Sequence, residues 1–451
     1  MTPARAGVAA IVLMFALGAQ ALRAQDTAAT RRVASAPISL PEAIRMALAQ
    51  SSAVRFARNT TVLDSLSVRG FRNQFLPNLS VSTQTSQAFG NGSTGQNALS
   101  AGAGLSSGIT LYNGGQNVNT LREAELNMQA SGHDLGRVRQ TVVFNVASSF
   151  LNLITQQEQL RVQQENLTAQ EQELTQLDAF AKAGTRPIGD LYQQQAAVAS
   201  TRLAVASARH AQELAKVDLI QELLLDPRGT YLFVTPTPRD STAPSPAFDL
   251  DSLITVALAQ RADVQAQISR VEAAKREILV AEGGRLPVVS ASGAYSSAFN
   301  SAADGSVGSQ LDQRRGGSVG VGVSLPIFDR GAVSIARQRA QIQLENETLT
   351  LRDVQQTVAL EVRRALLNYQ LALEQLVESN AQQRAAALAL EAAQARYRVG
   401  SSTLIEVTLA RATLIQAQSS AVDARSSLAF QQALMSYYTG VLGPANARVA
   451  R

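Results

Sequence analysis

The sequence predicts a mainly α-helical chain with a membrane β part, built as two copies of one unit that each hold two strands and a long antiparallel helical hairpin. Three observations carry this expectation: an ordered internal repeat, uncharged stretches of period two, and very long stretches free of Gly and Pro with apolar residues seven apart. The 451 residues include no Cys and no Trp, and 8 Tyr with 13 Phe are few for one large compact core. Without Cys there are no disulfides, no thiolate chemistry and no Cys-ligated metal. His133 and His210 stand in no recognisable motif and no phosphate-cradling glycine loop occurs, so the expectation is no enzyme, no cofactor and no metal site. The formal net charge is +5, but Lys and Arg are spread along the chain and not gathered in runs, which argues against nucleic acid as a partner.

At the N-terminus, Arg5 precedes an apolar run over 8–19, and Ala19-Gln20-Ala21 has the small-x-small pattern read by signal peptidase. Residues 1–21 are therefore expected to be a signal peptide, with cleavage after Ala21 or, alternatively, Ala24. Twelve apolar residues are too few to span a bilayer. A retained anchor helix is the other reading of the same residues.

The repeat organises the rest. Ala47-Leu48-Ala49-Gln50 recurs as Ala257-Leu258-Ala259-Gln260 and Leu76-Pro77 as Leu286-Pro287, both 210 positions on. Further along, Leu151-Asn152 matches Leu367-Asn368, Gln159-Leu160 matches Gln375-Leu376 and Gly184 matches Gly400, all 216 positions on, so one short insertion separates the two series. The first repeat is expected over 38–226 and the second over 247–442. Between them, Pro227, Pro236, Pro238, Pro244 and Pro246 make 227–246 a connector. Each repeat opens on a helix, capped by Ser39 with Glu42 in capping-box spacing or by Asp249, and stopping before Pro77 or Pro287.

After those prolines charge disappears. Residues 73–121 contain no Asp, Glu, Lys or Arg, and neither do 286–303 and 316–328. The stretches alternate, as in Leu79, Val81, Thr83, then Leu105, Ser107, Ile109, Leu111, and Val319, Val321, Val323, Leu325, Ile327. Period two means strands, at about 77–112 and 287–328, long enough to cross a bilayer when tilted. Their polar tips are expected at 90–93 and 303–306. A soluble hairpin normally carries charge on its wet face and edges, whereas a charge facing lipid costs a few kcal/mol. Four strands are too few to close a barrel, so strands that cross a membrane imply a barrel shared between copies.

The second strand of each repeat leads into a long helix. Residues 332–399 hold neither Gly nor Pro, and 116–183 only Gly132 and Gly136. Helices of about 67 residues would extend roughly 100 Å. Each breaks at a matched place, Gly184-Thr185-Arg186-Pro187 and Gly400-Ser401-Ser402-Thr403, and a shorter helix returns to about Asp226 and Tyr438. Leu153, Leu160, Leu167 and Leu174, then Leu191, Val198 and Val205, then Val407, Leu414, Ala421, Leu428 and Met435, recur at seven. That period describes coiled-coil packing.

Repeated halves, paired uncharged strands and Gly-bounded hairpins together resemble the TolC-like outer membrane efflux proteins over about residues 38–442. The local marks are Leu76-Pro77 and Leu286-Pro287 at strand entry, Leu111-Tyr112-Asn113-Gly114-Gly115 and Leu325-Pro326-Ile327-Phe328-Asp329-Arg330-Gly331 at strand exit, and the tips Ala183-Gly184-Thr185-Arg186-Pro187-Ile188-Gly189-Asp190 and Tyr397-Arg398-Val399-Gly400. The resemblance implies a homotrimer with a 12-strand barrel in outer membrane lipid and a 12-helix tunnel in the periplasm. It further implies a passive efflux or secretion duct that works with a periplasmic adaptor (a membrane fusion protein) and an inner-membrane transporter.

By the same resemblance, Asp190 and Glu406, each six residues beyond its tip glycine, are the carboxylates of a periplasmic gate. Three copies of Glu406 in a narrow pore would attract cations and repel one another. Tyr397 corresponds to a linking tyrosine that would bond Asp190 of the neighbouring hairpin. Gly184 and Gly400 mark the adaptor-docking tips. The sequence departs from the family in three places: Ser402 replaces an arginine, Leu409 replaces a second acid, and an arginine stands instead in the first half, Arg186. With no Cys, the lipid anchor of many relatives is absent. The rival reading is a soluble periplasmic coiled-coil scaffold without a pore.

Overall fold

The computed structural model describes residues 37–87, 99–234 and 248–441. The expected signal peptide, the strand tip at 90–93 and most of the connector lie outside them. Each repeat opens on two helices where the sequence suggests one: α1 (Leu40–Gln50) and α2 (Ser52–Asn73), then α5 (Leu250–Gln260) and α6 (Ala262–Gly283). The breaks fall at Ser51 and Arg261, whose ψ of 123° and 126° carry the chain out of the helical region. Asp249 caps α5, accepting from the Ser252 N–H at 2.9 Å. The Ser39–Glu42 capping box does not form, because the Arg45 guanidinium takes the Glu42 carboxylate in a charge-assisted bond stronger than a neutral cap.

Four strands follow: β1 (Asn78–Gln87), β2 (Leu99–Asn113), β3 (Val288–Asn300) and β4 (Gly316–Ser324). They form one antiparallel sheet in chain order. Directly paired residues share a face, and the register places Val81 opposite Leu105, Leu105 opposite Tyr295, and Ala291 opposite Val321. One face is therefore apolar across all four strands, with Leu79, Val81, Leu105, Ile109, Val289, Tyr295, Val319, Val321 and Val323. The other carries Ser80, Ser82, Gly104, Ser106, Ser292, Gly320 and Gly322. The chain leaves both faces of the outer strands bare, the apolar one included: Val319 is 91% exposed and Val81 76%. β4 ends at Ser324 although the alternation runs on to Ile327, since Pro326 has no N–H for the ladder. The β3–β4 connection holds a short helix, α7 (Val307–Gln313), where a bare polar tip was expected. Buried Gln310 fastens it by donating to the carbonyls of Ala303 and Gly305 at 3.0 and 3.2 Å.

Each sheet exit turns into a helix through two successive left-handed residues, Gly114-Gly115 (φ 68° and 78°) and Arg330-Gly331 (φ 54° and 80°). At Gly114 a Cβ would also come within 2.3 Å of the Gly283 carbonyl, so only glycine fits there. Helices α3 (Gln116–Lys182) and α8 (Ala332–Arg398) then run 67 residues each, and α4 (Ile188–Glu222) and α9 (Leu404–Tyr438) return for 35 each. The seven-residue stripe packs as its period requires: Leu153, Leu160, Val198, Val205, Val407, Ala421, Leu428 and Met435 are all buried. On α8 the buried series Val358, Ala365, Ala372, Ser379, Ala386 and Ala393, also seven apart, consists almost wholly of small residues, which lets α9 lie close.

Midway along the helices the two repeats are tied by charge. Arg261, 3% exposed, bonds Asp263 through Nε at 3.0 Å and also pairs with Glu361 of α8. Arg137 of α3 lies 3.7 Å from Asp263 and stacks 4.0 Å above the Tyr437 ring of α9. Burial opposes ionisation of Asp263, but the bonds and charge of Arg261 outweigh it and hold the carboxyl below its ordinary range. The far ends of the hairpins, remote from the sheet, hold the second polar constellation.

Candidate functional site at the hairpin tips

Both long helices end alike. The Thr185 N–H reaches back to the Phe180 carbonyl and the Ser401 N–H to the Arg396 carbonyl, each at 3.0 Å, around a left-handed Gly184 (φ 70°) or Gly400 (φ 79°). This is the glycine-terminated helix end in which the backbone requires φ > 0. A Cβ would meet nothing within 4 Å at either position, so conformation and not crowding selects glycine. At the opposite end of the helical part, Pro77 and Pro287 directly precede β1 and β3.

Between the tips, an apolar cluster joins all four long elements: Leu177 of α3, Leu191 of α4, Leu390, Ala393 and Tyr397 of α8, and Leu404 and Val407 of α9. Tyr397 is the point where polar groups converge on it. Its hydroxyl donates to Asp190 Oδ2 at 2.8 Å, linking the last turn of α8 to the first turn of α4. Arg186 crosses from the first tip, donating to the Tyr397 carbonyl at 2.7 Å with its guanidinium 4.4 Å above the Tyr397 ring. Burial, and after it the bond and charge of Asp190, push the Tyr397 phenol up to about 12. The hydroxyl therefore stays protonated and donating throughout the neutral range. Arg186, Asp190 and Tyr397 thus form one contact group within a single chain.

Glu406 stands apart from that group. It lies in the first turn of α9 and takes a bond from the Ser402 hydroxyl at 2.9 Å, with Arg396 3.7 Å away. Where Ser402 replaces the family arginine, its hydroxyl thus reaches only along its own hairpin.

A further pair escaped the reading of the sequence. Arg411 of α9 bonds Glu173 of α3 across the hairpins, with side chains 9% and 16% exposed. One signal was present: Arg411 follows Leu404 by seven and Val407 by four, so a charged residue stands beside the apolar stripe of α9, on its buried side. Below it, Gln194 is also buried and donates to the Gln170 side chain at 2.9 Å, placing a second polar layer inside the α3–α4 hairpin.

A sheet with a bare apolar face, continued by long hairpins with polar links at their far ends, is the architecture of a family of membrane channel proteins. The chain belongs to the outer membrane efflux protein family, whose model matches residues 43–223 and 253–440. It is 26% identical over 352 residues to the pyoverdine export outer membrane protein OpmQ of Pseudomonas aeruginosa, covering 77% of this chain and 70% of that one. It is 27% identical over 175 residues to outer membrane protein TolC of Escherichia coli, covering 38% and 35% of the two chains. Among solved structures, CusC superposes with a TM-score of 0.78 at 19% identity, covering 89% of this chain and 92% of that one. VceC of Vibrio cholerae superposes with a TM-score of 0.74 at 17% identity, covering 89% and 96%. The protein is an outer membrane protein of a channel family whose members transport and do not catalyse.

Proposed function

We propose that three copies form a passive exit duct, with a 12-strand barrel in the outer membrane and a 12-helix tunnel in the periplasm, completed by a periplasmic adaptor and an inner-membrane transporter. The observation that carries this is the sheet. Among the described residues β1 and β4 have unpaired outer edges, and an unpaired backbone group in lipid costs several kcal/mol. Joining β4 of one copy to β1 of the next satisfies both edges, turns the valine face to lipid and leaves the Ser/Gly face around an aqueous lumen. The helices support the same ring. α8 presents Ile335, Ile342 and Leu349, seven apart and at least half exposed, a stripe suited to the exposed Phe56 and Leu63 of a neighbour's α2.

The periplasmic end is the gate, with Asp190, Tyr397 and Arg186 holding the hairpins and Glu406 contributing a ring of carboxylates. Gly184 and Gly400, on the two tips, are where the adaptor engages. The pyoverdine export of OpmQ makes a small organic molecule the first cargo class to test. Reconstitution of the full chain into planar bilayers decides the reading: step-like ion currents support it. Absence of current, with the protein recovered in the soluble periplasmic fraction, leaves the scaffold.

A further inference from the structure

The apolar face of the sheet changes character at the end away from the helices. Its rung of Val81, Leu105 and Tyr295 is followed by Thr83, Ala103 and Ser297. At that level α7 lies over the same face. The Ser297 hydroxyl donates to the Leu311 carbonyl at 2.6 Å, in the last turn of α7, where carbonyls lack partners inside the helix. Ser297 and Phe299 are half-buried, whereas Ser296 and Ala298, on the opposite face, are exposed. Buried Gln310 fixes the helix further by accepting from the Asn300 N–H at 3.0 Å.

Held in this way, α7 presents Val307 and Leu311, 51% and 38% exposed and one turn apart. Arg314 follows one turn further along the same stripe. Arg315 comes next, two positions before Gly317, which pairs with Tyr295 on the apolar face. β1 to β4 hold no charged residue. Charge returns here, as Asp304, Asp312, Arg314 and Arg315. Arg315 shares its charge with exposed Asp312 at 3.1 Å, and Arg314 has no ion pair among the described residues. An ion pair so open to water is worth little, so both guanidinium groups are available to a stronger acceptor. Phosphate is one, because the planar guanidinium bonds two of its oxygens at once. An apolar stripe that ends in arginines, placed where a lipid-facing surface turns polar, suits the boundary between acyl chains and headgroups. With the hairpins in the periplasm, that boundary belongs to the outer leaflet, which in an outer membrane is largely phosphorylated glycolipid.

We infer that α7 is seated in the outer leaflet, with Val307 and Leu311 at the acyl boundary and Arg314 and Arg315 on the phosphates of that glycolipid; this rests on the barrel proposed above. The chain has no native Trp, so Leu311→Trp and, separately, Val307→Trp each supply a single reporter. The full-length variants are folded into phosphatidylcholine vesicles holding dansyl-labelled lipid A, either bisphosphorylated or stripped of phosphate. The indole is expected to be quenched by brominated acyl chains. Energy transfer should report about fivefold more bisphosphorylated than phosphate-free lipid A beside it, the scale of one surface arginine on an anionic lipid. Arg314→Gln with Arg315→Gln, added to either reporter chain, should bring that ratio to one and leave the quenching in place. An indole that emits as in water, or one shielded but unquenched because a second copy covers it, would overturn the inference. So would equal transfer from both lipids, or a preference that survives the double substitution. Planar-bilayer currents from the same chains separate this from the reading beneath it. Currents without a lipid A preference overturn the seat of α7 alone, whereas protein that neither conducts nor enters vesicles overturns the barrel.

Discussion

Tyr397 and Asp190 are joined by a 2.8 Å hydrogen bond that bridges two hairpins 207 positions apart in sequence, at the end of the molecule opposite the sheet. A neutral donor on a carboxylate is worth ~1.5–3 kcal/mol at most, and part of this bond is open to water. It is strong enough to bias a two-state tip and weak enough to be overcome by a docking partner.

Tyr397→Phe keeps the ring in the apolar cluster and removes only the donor. At a net ~1–2 kcal/mol, the ratio of open to closed tips should rise about 5–30-fold, read as open probability in planar bilayers. An unchanged open probability would show that the bond does not hold the gate.

The same phenol has a pH signature. Because its folded value is raised to about 12, the protonated, bonded form contributes stability below pH 10, lost as pH rises through about 12. The tyrosinate absorbance difference between wild type and Tyr397→Phe should therefore titrate near pH 12. A midpoint near 10 would contradict the bond.

Arg411→Ala leaves Glu173 shielded and unpaired, and removal of one partner from a buried pair costs about 3–5 kcal/mol. Replacing both, as Glu173→Leu with Arg411→Leu, should be close to neutral. Thermal unfolding followed by helical circular dichroism separates these, and equal losses in both variants would mean that the pair itself stabilises the contact, beyond the penalty of an unpaired charge.

At the level of the Arg261 network, acid should act through Asp263. Its lowered value means that its stabilisation is present above the ordinary 3.8 and disappears as pH falls through the lower folded value. Wild type should lose helix signal only below about pH 4. Asp263→Asn should be weaker at neutral pH and should lose less on acidification. Coincident acid titrations of the two would remove the network from the account of stability.

Legibility in the sequence followed physical rule. The strands announced themselves because a lipid-facing position excludes charge, so Val319, Val321 and Val323 alternate without interruption. The long helices did so because nothing in 332–399 can break them. The breaks at Ser51 and Arg261 were hidden, since neither residue is Gly or Pro and the turn is fixed by what packs around it. The Ser39–Glu42 box was misleading because a local spacing cannot reveal that Arg45 competes for the same carboxylate. At the tips, Asp190, Tyr397 and Arg186 were visible as residue types, and the structure brings them together. Glu406, at the matching place in the second half, keeps to its own hairpin. Glu173 and Arg411 are 238 positions apart, and nothing but the odd charge beside the α9 stripe pointed to their meeting.

The face assignment of the sheet is tested by Val321→Lys, which puts a cation on the apolar face at a cost of ~2–4 kcal/mol near the bilayer midplane. Ser292→Lys, on the opposite face, should be tolerated. Folding into lipid vesicles, scored by protease protection, should fail for the first and succeed for the second. The reverse would turn the barrel inside out.

The most direct measurement concerns the edges of the sheet. Single cysteines introduced along β1, at Ser80 or Ser82, and along β4, at Ser318 or Gly320, should cross-link between copies on oxidation in outer membranes. The denatured ladder should end at three copies. A chain that stays monomeric, or a ladder that stops at two or continues past three, would contradict a barrel shared by three copies.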